Sequence, residues 1–515
     1  MTTFATLRAL HACIGDALSD LERVYKERSP SPSSPLDYPS LDVPHYPNQP
    51  ISPADELAEQ LVNDPSALVA IRSIVAACGQ MSATVRRPWG AVRDIAVSGH
   101  LQACMRFMEE AHIVEILRDA GPQGMHVNDI HRAVVDLRPQ SATPDPAVLT
   151  PERLGYILRV LATAHWLREL SPDVYANNRR SAVIDTGKTL EQLRAQPEKK
   201  YADTNGLAAL LAHVCESTFP LKMTEWLLPD VHIRNMSPSP ASSPSVTGND
   251  APAERRSYPT VFGLDLQTDL NLFEWLDLPE NTFRRGRFAH AMTGTSYTEG
   301  TRQDVLQAFP WENLSPGAVL VDVGGGIGTT SLIVAHAHPE IRVVVEDRAP
   351  VVDKAPSAWG DEYAHMINSG RVSWRVRDFL TPWKPLSDND SDKAPDVFLL
   401  RMVLHDWPDD VSRTILRQLR DAASPETRLV IGDALLLPAC PSKDSLVSED
   451  SPLLPNFGVA NLQTYLIGIM MMGYLAAKER TVSEMEELLL SAGWKVNNVH
   501  RSVGSLWAYT TAEPV

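Results

Sequence analysis

The sequence predicts a chain of two parts, a mainly helical N-terminal region followed by an α/β domain with a parallel sheet. Amphipathic segments with helical spacing run from about residue 54 to 230, whereas apolar strand-like and helical segments alternate after residue 258. Such alternation is typical of a parallel sheet that is covered by helices on both faces. Clusters of proline mark the boundaries between the two parts.

Sixteen of the 40 prolines cluster, together with serine, in three tracts at 29–53, 237–252 and 438–455. These tracts cannot form β-ladders and bury too little surface to offset their ordering entropy, so we expect linkers or surface insertions. The predicted divisions are an N-terminal helix with a Pro/Ser-rich linker (1–53), a helical region (54–235), a Pro/Ser-rich insertion (236–257) and an α/β domain (258–515).

Composition narrows the classes of function. The 515 residues carry a formal net charge of -17 and no run of Lys and Arg, which disfavours nucleic-acid binding. Five cysteines lack any CxxC or metal-like spacing, which favours a reducing compartment and gives no sign of a metal site. The N-terminus lacks the pattern of a signal peptide, and no charge-free apolar run is long enough to span a membrane. We therefore expect a cytoplasmic protein.

The helical region reads as three helices and a hairpin, which resembles a winged-helix module. The helix beginning after Thr150 carries Glu152, Arg153 and Arg159 without a basic face. A structural or dimerising use is therefore favoured over DNA binding. A non-enzymatic winged-helix regulator remains an alternative.

A glycine loop follows the first strand of the α/β domain. Asp322 precedes Gly324, Gly326 and Gly328 at alternate positions, a D-x-G-x-G-x-G pattern typical of S-adenosylmethionine (SAM) sites. Such a loop brings backbone close to a ligand at a helix N-terminus. The nicotinamide fingerprint would need a third glycine where Ser331 stands, so an NAD-dependent oxidoreductase is disfavoured but kept as an alternative.

Two further strand ends carry candidate cofactor contacts. Asp347 lies 21 residues beyond Gly326 and could accept hydrogen bonds from ribose hydroxyls, with Glu346 as the alternative. Asp378 and Phe379 follow the third strand and could contact an adenine ring. A capping role is the competing interpretation for Asp378.

The segment from Arg401 to Asp410 contains the sequence LHDW, and residues 478–481 read KERT. With the glycine loop, these motifs make residues 258–512 resemble the class I SAM-dependent O-methyltransferases of the plant caffeate and fungal secondary-metabolite type. The helical region is similar to the dimerisation domain of that family. The resemblance implies a Rossmann-like methyltransferase domain, SAM as cofactor and a homodimer.

The resemblance also implies roles for individual residues. His405 would be the general base that removes a phenolic proton, and Glu479 and Asp433 would orient it. The plant enzymes have glutamate where Asp433 stands, so Glu479 is the stronger candidate. Arg401 occupies the position of a lysine near the cofactor. The acceptor would be a small aromatic or polyketide-type molecule, and an N- or C-methylating relative remains an alternative.

Overall fold

The computed structural model describes residues 2–228, 260–295, 303–384 and 394–515, apart from positions 32, 48, 140, 142–143, 354, 360, 449 and 503. The Pro/Ser-rich insertion predicted at 236–257, and with it the expected boundaries at 235 and 258, lie outside the described residues. The structure forms two compact units, Met1–Thr218 with Phe273–Thr298 and Phe219–Leu272 with Glu299–Val515.

Helices dominate the first 228 residues, together with three short strands. The strands are β1 (Met125–His126), β2 (Arg168–Ser171) and β3 (Val174–Ala176), which form an antiparallel sheet of order β1-β3-β2. The helices are α1 (Thr3–Arg28), α2 (Pro53–Leu61), α3 (Pro65–Val85), α4 (Pro88–Ala96), α5 (Gly99–Glu110), α6 (Ile113–Ala120), α7 (Val127–Asp136), α8 (Pro151–Thr163), α9 (Arg179–Ala182), α10 (Leu190–Ala195), α11 (Leu207–Glu216) and α12 (Met223–Leu227).

Helices and strands alternate in the remainder of the chain. The helices are α13 (Val261–Leu266), α14 (Leu272–Leu276), α15 (Thr282–Thr295), α16 (Gln303–Ala308), α17 (Thr329–Ala337), α18 (Ala349–Val352), α19 (Asp361–Asn368), α20 (Asp409–Ala422), α21 (Leu462–Leu475) and α22 (Val482–Ser491). The strands are β4 (Val319–Val323), β5 (Arg342–Asp347), β6 (Val372–Val376), β7 (Val397–Arg401), β8 (Arg428–Asp433), β9 (Leu435–Leu436), β10 (Arg480–Thr481), β11 (Trp494–Arg501) and β12 (Ala508–Pro514).

Seven strands of the second unit form one sheet, in the order β11-β12-β8-β7-β4-β5-β6. The strands from β4 to β8 in this sheet are parallel, and β12 joins β8 antiparallel with β11 at the edge. Alternate residues face opposite sides. Val321 packs with α20 and α22, whereas Leu320 packs with α16 and α17. The prediction of a helical region followed by a Rossmann-like α/β domain is thus confirmed, while the winged-helix comparison stays a prediction.

The Pro/Ser-rich tract that follows α1 lies against other parts of the first unit. The Arg179 amide donates to the Leu41 carbonyl over 2.9 Å, and the Asn177 side-chain amide donates to the Tyr46 hydroxyl over 3.0 Å. Tyr25 and Tyr38 also contact each other, with ring centroids 5.5 Å apart. Because these bonds come from individual side chains and carbonyls, the tract is held in place without forming a ladder.

Helix α15 belongs to the first unit, although the sequence grouped its residues with the α/β domain. It packs on α11, where Gly206 and Gly294 allow the two backbones to approach closely. A Cβ on Gly206 would lie 2.5 Å from the Gly294 amide nitrogen. Arg284 and Arg287 of α15 pair with Glu216 of α11. Long-range contacts of this kind leave no local pattern in the sequence.

Helix α3 has the length and composition of a membrane span, with a mean hydropathy of 1.5 over an 18-residue window. Arg72 is its one charged residue. Only 17% of that window is buried within the chain. Apolar helices of soluble proteins meet the same criteria, so length and composition alone are weak evidence for insertion.

Candidate active site

The glycine loop connects β4 to α17 and adopts backbone angles that favour glycine. Gly324, Gly326 and Gly328 have φ values of 68°, 61° and 91°. A Cβ on Gly326 would meet nothing within 4 Å, so the loop leaves open space there. Gly325 is also constrained, because its Cβ would lie 2.4 Å from Cγ of Asp322. The alternate-glycine pattern did not single out Gly325.

Asp322 lies beneath this loop and is almost fully buried. Burial raises the pKa of its carboxyl to about 6, although hydrogen bonding to Ser331 opposes the shift. One oxygen, Oδ2, has no hydrogen-bond partner within the described part of the chain. A buried polar atom of this kind is expected to have a partner when a ligand occupies the loop.

The end of β5 distinguishes the two acidic candidates. Glu346 is 1% exposed and is ion-paired with Arg375 and Arg377, so it is turned away from solvent and already neutralised. Asp347 is half-buried, and its Oδ2 accepts a hydrogen bond from the Gly326 amide over 2.8 Å. The structure therefore brings Asp347, and not Glu346, to the glycine loop.

The remaining cofactor candidates lie near the same edge of the sheet. A ring atom of Phe379 lies 3.6 Å from the position of a Cβ on Gly324, which places this ring beside the loop. Asp378 is exposed, and its carboxylate accepts a hydrogen bond from the Leu380 amide over 2.9 Å, which stabilises a turn after β6. The guanidinium of Arg401 lies 5.6 Å from the ring centroid of Trp507.

His405 lies in a 3₁₀ turn, Leu404–Asp406, that follows the carboxyl end of β7. The residue is 4% exposed, and its Nδ1 lies 2.7 Å from Oε1 of Glu479. Glu479 is itself buried, at 2% exposure. This contact fixes the orientation of the imidazole ring. The other ring nitrogen, Nε2, lies 3.4 Å from Oδ1 of Asp406.

Three carboxylates surround His405 and dominate its electrostatics. Burial disfavours the imidazolium, but Asp406, Glu479 and Asp433 outweigh this effect and raise the pKa of His405 to about 10. Burial also raises the pKa of Asp406 and that of Asp433 to about 6, although His405 opposes both shifts. His405, Asp406 and Asp433 therefore bind protons more tightly than the same side chains would in isolation.

Asp433 does not reach His405. Its residue is 2% exposed, and neither carboxylate oxygen has a hydrogen-bond partner among the described residues. Asp433 therefore acts on His405 through charge and not through a hydrogen bond.

Two neighbours of this pair were not found from the sequence. The ring of Trp507 meets the His405 ring edge-on, with centroids 5.8 Å apart. Gly468 of α21 lies against Glu479, since its Cβ would be 3.6 Å from Cβ and Cγ of that residue. Trp507 precedes the last strand and Gly468 lies within an apolar helix, so neither position carried a motif.

Comparison with known proteins identifies the family of this chain. Residues 248–495 match the O-methyltransferase domain family. The 4-O-methyltransferase 1 of Phanerochaete chrysosporium is 34% identical over 96% of this chain and 96% of its own length. The chain belongs to the O-methyltransferase family. The O-methyltransferase tpcA of Aspergillus fumigatus is also similar, with 26% identity over 88% of this chain and 86% of that protein.

Solved structures agree with this O-methyltransferase fold. The mitomycin 7-O-methyltransferase MmcR superposes with a TM-score of 0.56 and 20% identity, covering 83% of this chain and 97% of its own. LepI, in complex with SAM, superposes with a TM-score of 0.61 and 18% identity, covering 90% and 98%. Another neighbour is described as a pericyclic reaction enzyme, so the fold alone does not fix the reaction.

The O-methyltransferase uses SAM as its methyl donor, and the glycine loop fits such a group. The open space at Gly326 and the unpartnered oxygen of Asp322 are both features that a bound ligand would complete. The prediction of a SAM-dependent O-methyltransferase is confirmed, and the NAD-dependent and regulatory alternatives are set aside.

The electrostatics of Asp433 predict a pH-dependent stability difference. Its folded pKa of about 6 lies above the ordinary value of 3.8, so the folded state loses stability from this group as pH rises through about 6. Asp433→Asn removes that loss. We expect the stability of the variant relative to wild type to increase by about 1–1.5 kcal/mol between pH 5 and pH 8.

Urea unfolding at the two pH values measures this difference. Asp421→Asn serves as the matched control, because that side chain is exposed on α20. A relative stability of Asp433→Asn that is the same at both pH values, as expected for the control, would contradict the prediction.

Proposed function

We propose that this O-methyltransferase methylates a phenolic hydroxyl of a small aromatic or polyketide-type molecule, with His405 as the general base. The buried 2.7 Å contact between His405 Nδ1 and Glu479 carries the proposal. It holds the imidazole in one orientation and directs Nε2 away from Glu479. A proton acceptor fixed in this way is what general-base catalysis requires.

The pKa of His405 favours a phenol over an aliphatic alcohol. The driving force for proton transfer increases as the pKa of the acceptor approaches that of the donor. The surrounding carboxylates raise the pKa of His405 to about 10, close to the value of about 10 for a phenolic hydroxyl. Because only the neutral imidazole accepts a proton, turnover is expected to rise with pH in the neutral range.

The two carboxylates have separate roles in this proposal. Glu479 accepts a hydrogen bond from the Nδ1–H group, which fixes the tautomer and stabilises the imidazolium that forms, as in a triad. Asp433 adds negative charge without a hydrogen bond and so raises the pKa of His405 further.

The cofactor would be held by the loop and strand ends already described. Gly324, Gly326 and Gly328 would provide backbone contacts, and Asp347 would accept from ribose hydroxyls. Phe379 would contact the adenine, with Asp378 and Arg401 as weaker candidates. When bound, SAM supplies a methyl group attached to a sulfonium. The chain must align the acceptor oxygen with that methyl group, since such alignment supplies much of the rate enhancement.

Relatives support a hydroxyl acceptor. Two similar proteins of Phanerochaete chrysosporium are called a 4-O-methyltransferase and a 3-O-methyltransferase, and others are fungal O-methyltransferases from Aspergillus species. We infer a role in secondary metabolism from these names. An N- or C-methylated product remains the second candidate outcome.

Two single substitutions separate chemistry from cofactor binding. His405→Ala should abolish measurable turnover, a loss of at least about 100-fold, while the affinity for S-adenosylhomocysteine stays within a few-fold of wild type. Asp347→Ala should weaken that affinity by about 1.5–3 kcal/mol, the scale of a lost charge-assisted hydrogen bond.

Calorimetric titration of S-adenosylhomocysteine and turnover of a panel of phenols measure the two effects. Undiminished turnover by His405→Ala would refute the role as general base. An unchanged affinity of Asp347→Ala would remove that residue from the cofactor site.

A second copy of this chain is the proposed partner. Helix α4 contains no buried residue, and its apolar side chains Trp89, Val92 and Ile95 are exposed. The adjoining α3 is apolar but only 17% buried over its most apolar window. Exposed apolar side chains of this kind favour burial against another protein surface, and the family resemblance favours a homodimer.

Charge placed on this surface should prevent association. Val92→Glu with Ile95→Glu should give a monomer in sedimentation velocity at concentrations where wild type is a dimer, because two carboxylates would have to be desolvated. Leu490→Glu is the matched control, since Leu490 is also exposed and lies on α22. Wild type that sediments as a monomer, or a double variant that remains a dimer, would contradict the assignment.

A cytoplasmic location and the absence of nucleic-acid partners complete the proposal. All five cysteines are free, as expected in a reducing compartment. The net charge of -17 disfavours polyanion binding.

A further inference from the structure

Arg480 follows Glu479 in the chain and is 1% exposed. A buried guanidinium is costly unless hydrogen bonds satisfy its donors. None of the roles described above uses this residue, although it adjoins the carboxylate that contacts His405. Its contacts therefore bear directly on how the pair is held.

The donors of Arg480 reach both sides of the His405 turn. Nη1 donates to the Leu404 carbonyl over 2.9 Å, and Nη2 donates to the Trp407 carbonyl over 2.9 Å. These two carbonyls bracket His405 and Asp406 in the sequence. The guanidinium thus spans the turn that presents the imidazole.

The other contacts anchor the guanidinium to the start of α20. Nη2 donates to the Ser412 hydroxyl over 3.1 Å, and Nε donates to Oδ1 of Asp409 over 2.9 Å. Asp409 has a second cation, because Nζ of Lys478 lies 3.2 Å from its Oδ2. Because Lys478 already neutralises Asp409, the charge of Asp409 does not explain why an arginine is buried at position 480.

The backbone of Arg480 is fixed as well. It pairs with Leu435 in the short parallel ladder of β10 and β9. β9 begins two residues after Asp433, the buried carboxylate that raises the pKa of His405. Arg480 therefore contacts the His405 turn through its side chain and, through its backbone in β10, the segment that follows Asp433.

We propose that Arg480 is a positioning residue that holds the His405 turn against β10, the strand that begins directly after Glu479. The inference rests on the proposed role of His405 and adds a residue that does not touch the acceptor. The planar fork of arginine is required, because a lysine ammonium cannot reach two carbonyls and Asp409 from one point. Displacement of a catalytic group by about 1 Å can lower the rate about 100-fold.

The test compares Arg480→Met, Arg480→Lys and a matched control, Arg420→Met. Arg420 also donates to backbone carbonyls, those of Gly493 and Val515, but lies near the other end of α20. We expect kcat of Arg480→Met to fall about 100-fold, with KM for the phenol and the affinity for S-adenosylhomocysteine nearly unchanged. Arg480→Lys should recover part of kcat, and Arg420→Met should keep it.

Proton NMR gives a readout that does not depend on turnover. The Nδ1 proton shared by His405 and Glu479 should give a low-field resonance that is absent from His405→Ala. We expect Arg480→Met to lose this resonance and Arg420→Met to retain it. Wild-type kcat together with an unchanged resonance in Arg480→Met would overturn the inference.

A milder variant covers the case in which Arg480→Met does not fold. Asp409→Ala removes the acceptor that orients the guanidinium through Nε, so we expect a several-fold lower kcat and a shifted resonance. Values identical to wild type would contradict the inference. Turnover retained by His405→Ala would instead show that the general-base proposal fails, whatever the Arg480 variants do.

Discussion

The hydrogen bond between His405 and Glu479 is the interaction on which the account of the site depends. Its partners come from distant segments of the chain, the turn after β7 and the residue before β10, and both are almost fully buried. Burying an imidazole beside a carboxylate is costly unless the geometry is fixed. Arg480, Gly468 and Trp507 surround the pair and limit its movement.

The electrostatics of the site also follow from the burial of His405 beside Glu479. Burial alone would lower the pKa of His405, yet three nearby carboxylates raise it to about 10. The pKa of one of these carboxylates is shifted as well, because burial raises the pKa of Asp433 to about 6. A histidine in this setting suits a weakly acidic hydroxyl such as a phenol.

Much of the fold could be predicted from local patterns. Alternating apolar segments predicted the parallel strands, which the structure contains in β4 to β8. The spacing of the motifs made the glycine loop and Asp347 candidates, and the resemblance to O-methyltransferases implied that Glu479 orients His405, two residues that are in contact in the structure. The sequence did not predict that α15 packs with α11, since the Gly206–Gly294 contact joins segments far apart in the chain. The roles of Trp507 and Arg480 were hidden for the same reason.

The pH dependence of kcat/KM for Glu479→Gln tests the central claim most directly. Glutamine keeps an acceptor for Nδ1 but removes the charge, so the pKa of His405 should fall by about one unit or more. The account predicts that the acidic limb of the profile moves to lower pH by that amount and that the plateau rate falls. Glu487→Gln, an exposed substitution on α22, should leave the profile unchanged. A Glu479→Gln profile that coincides with wild type would contradict the account.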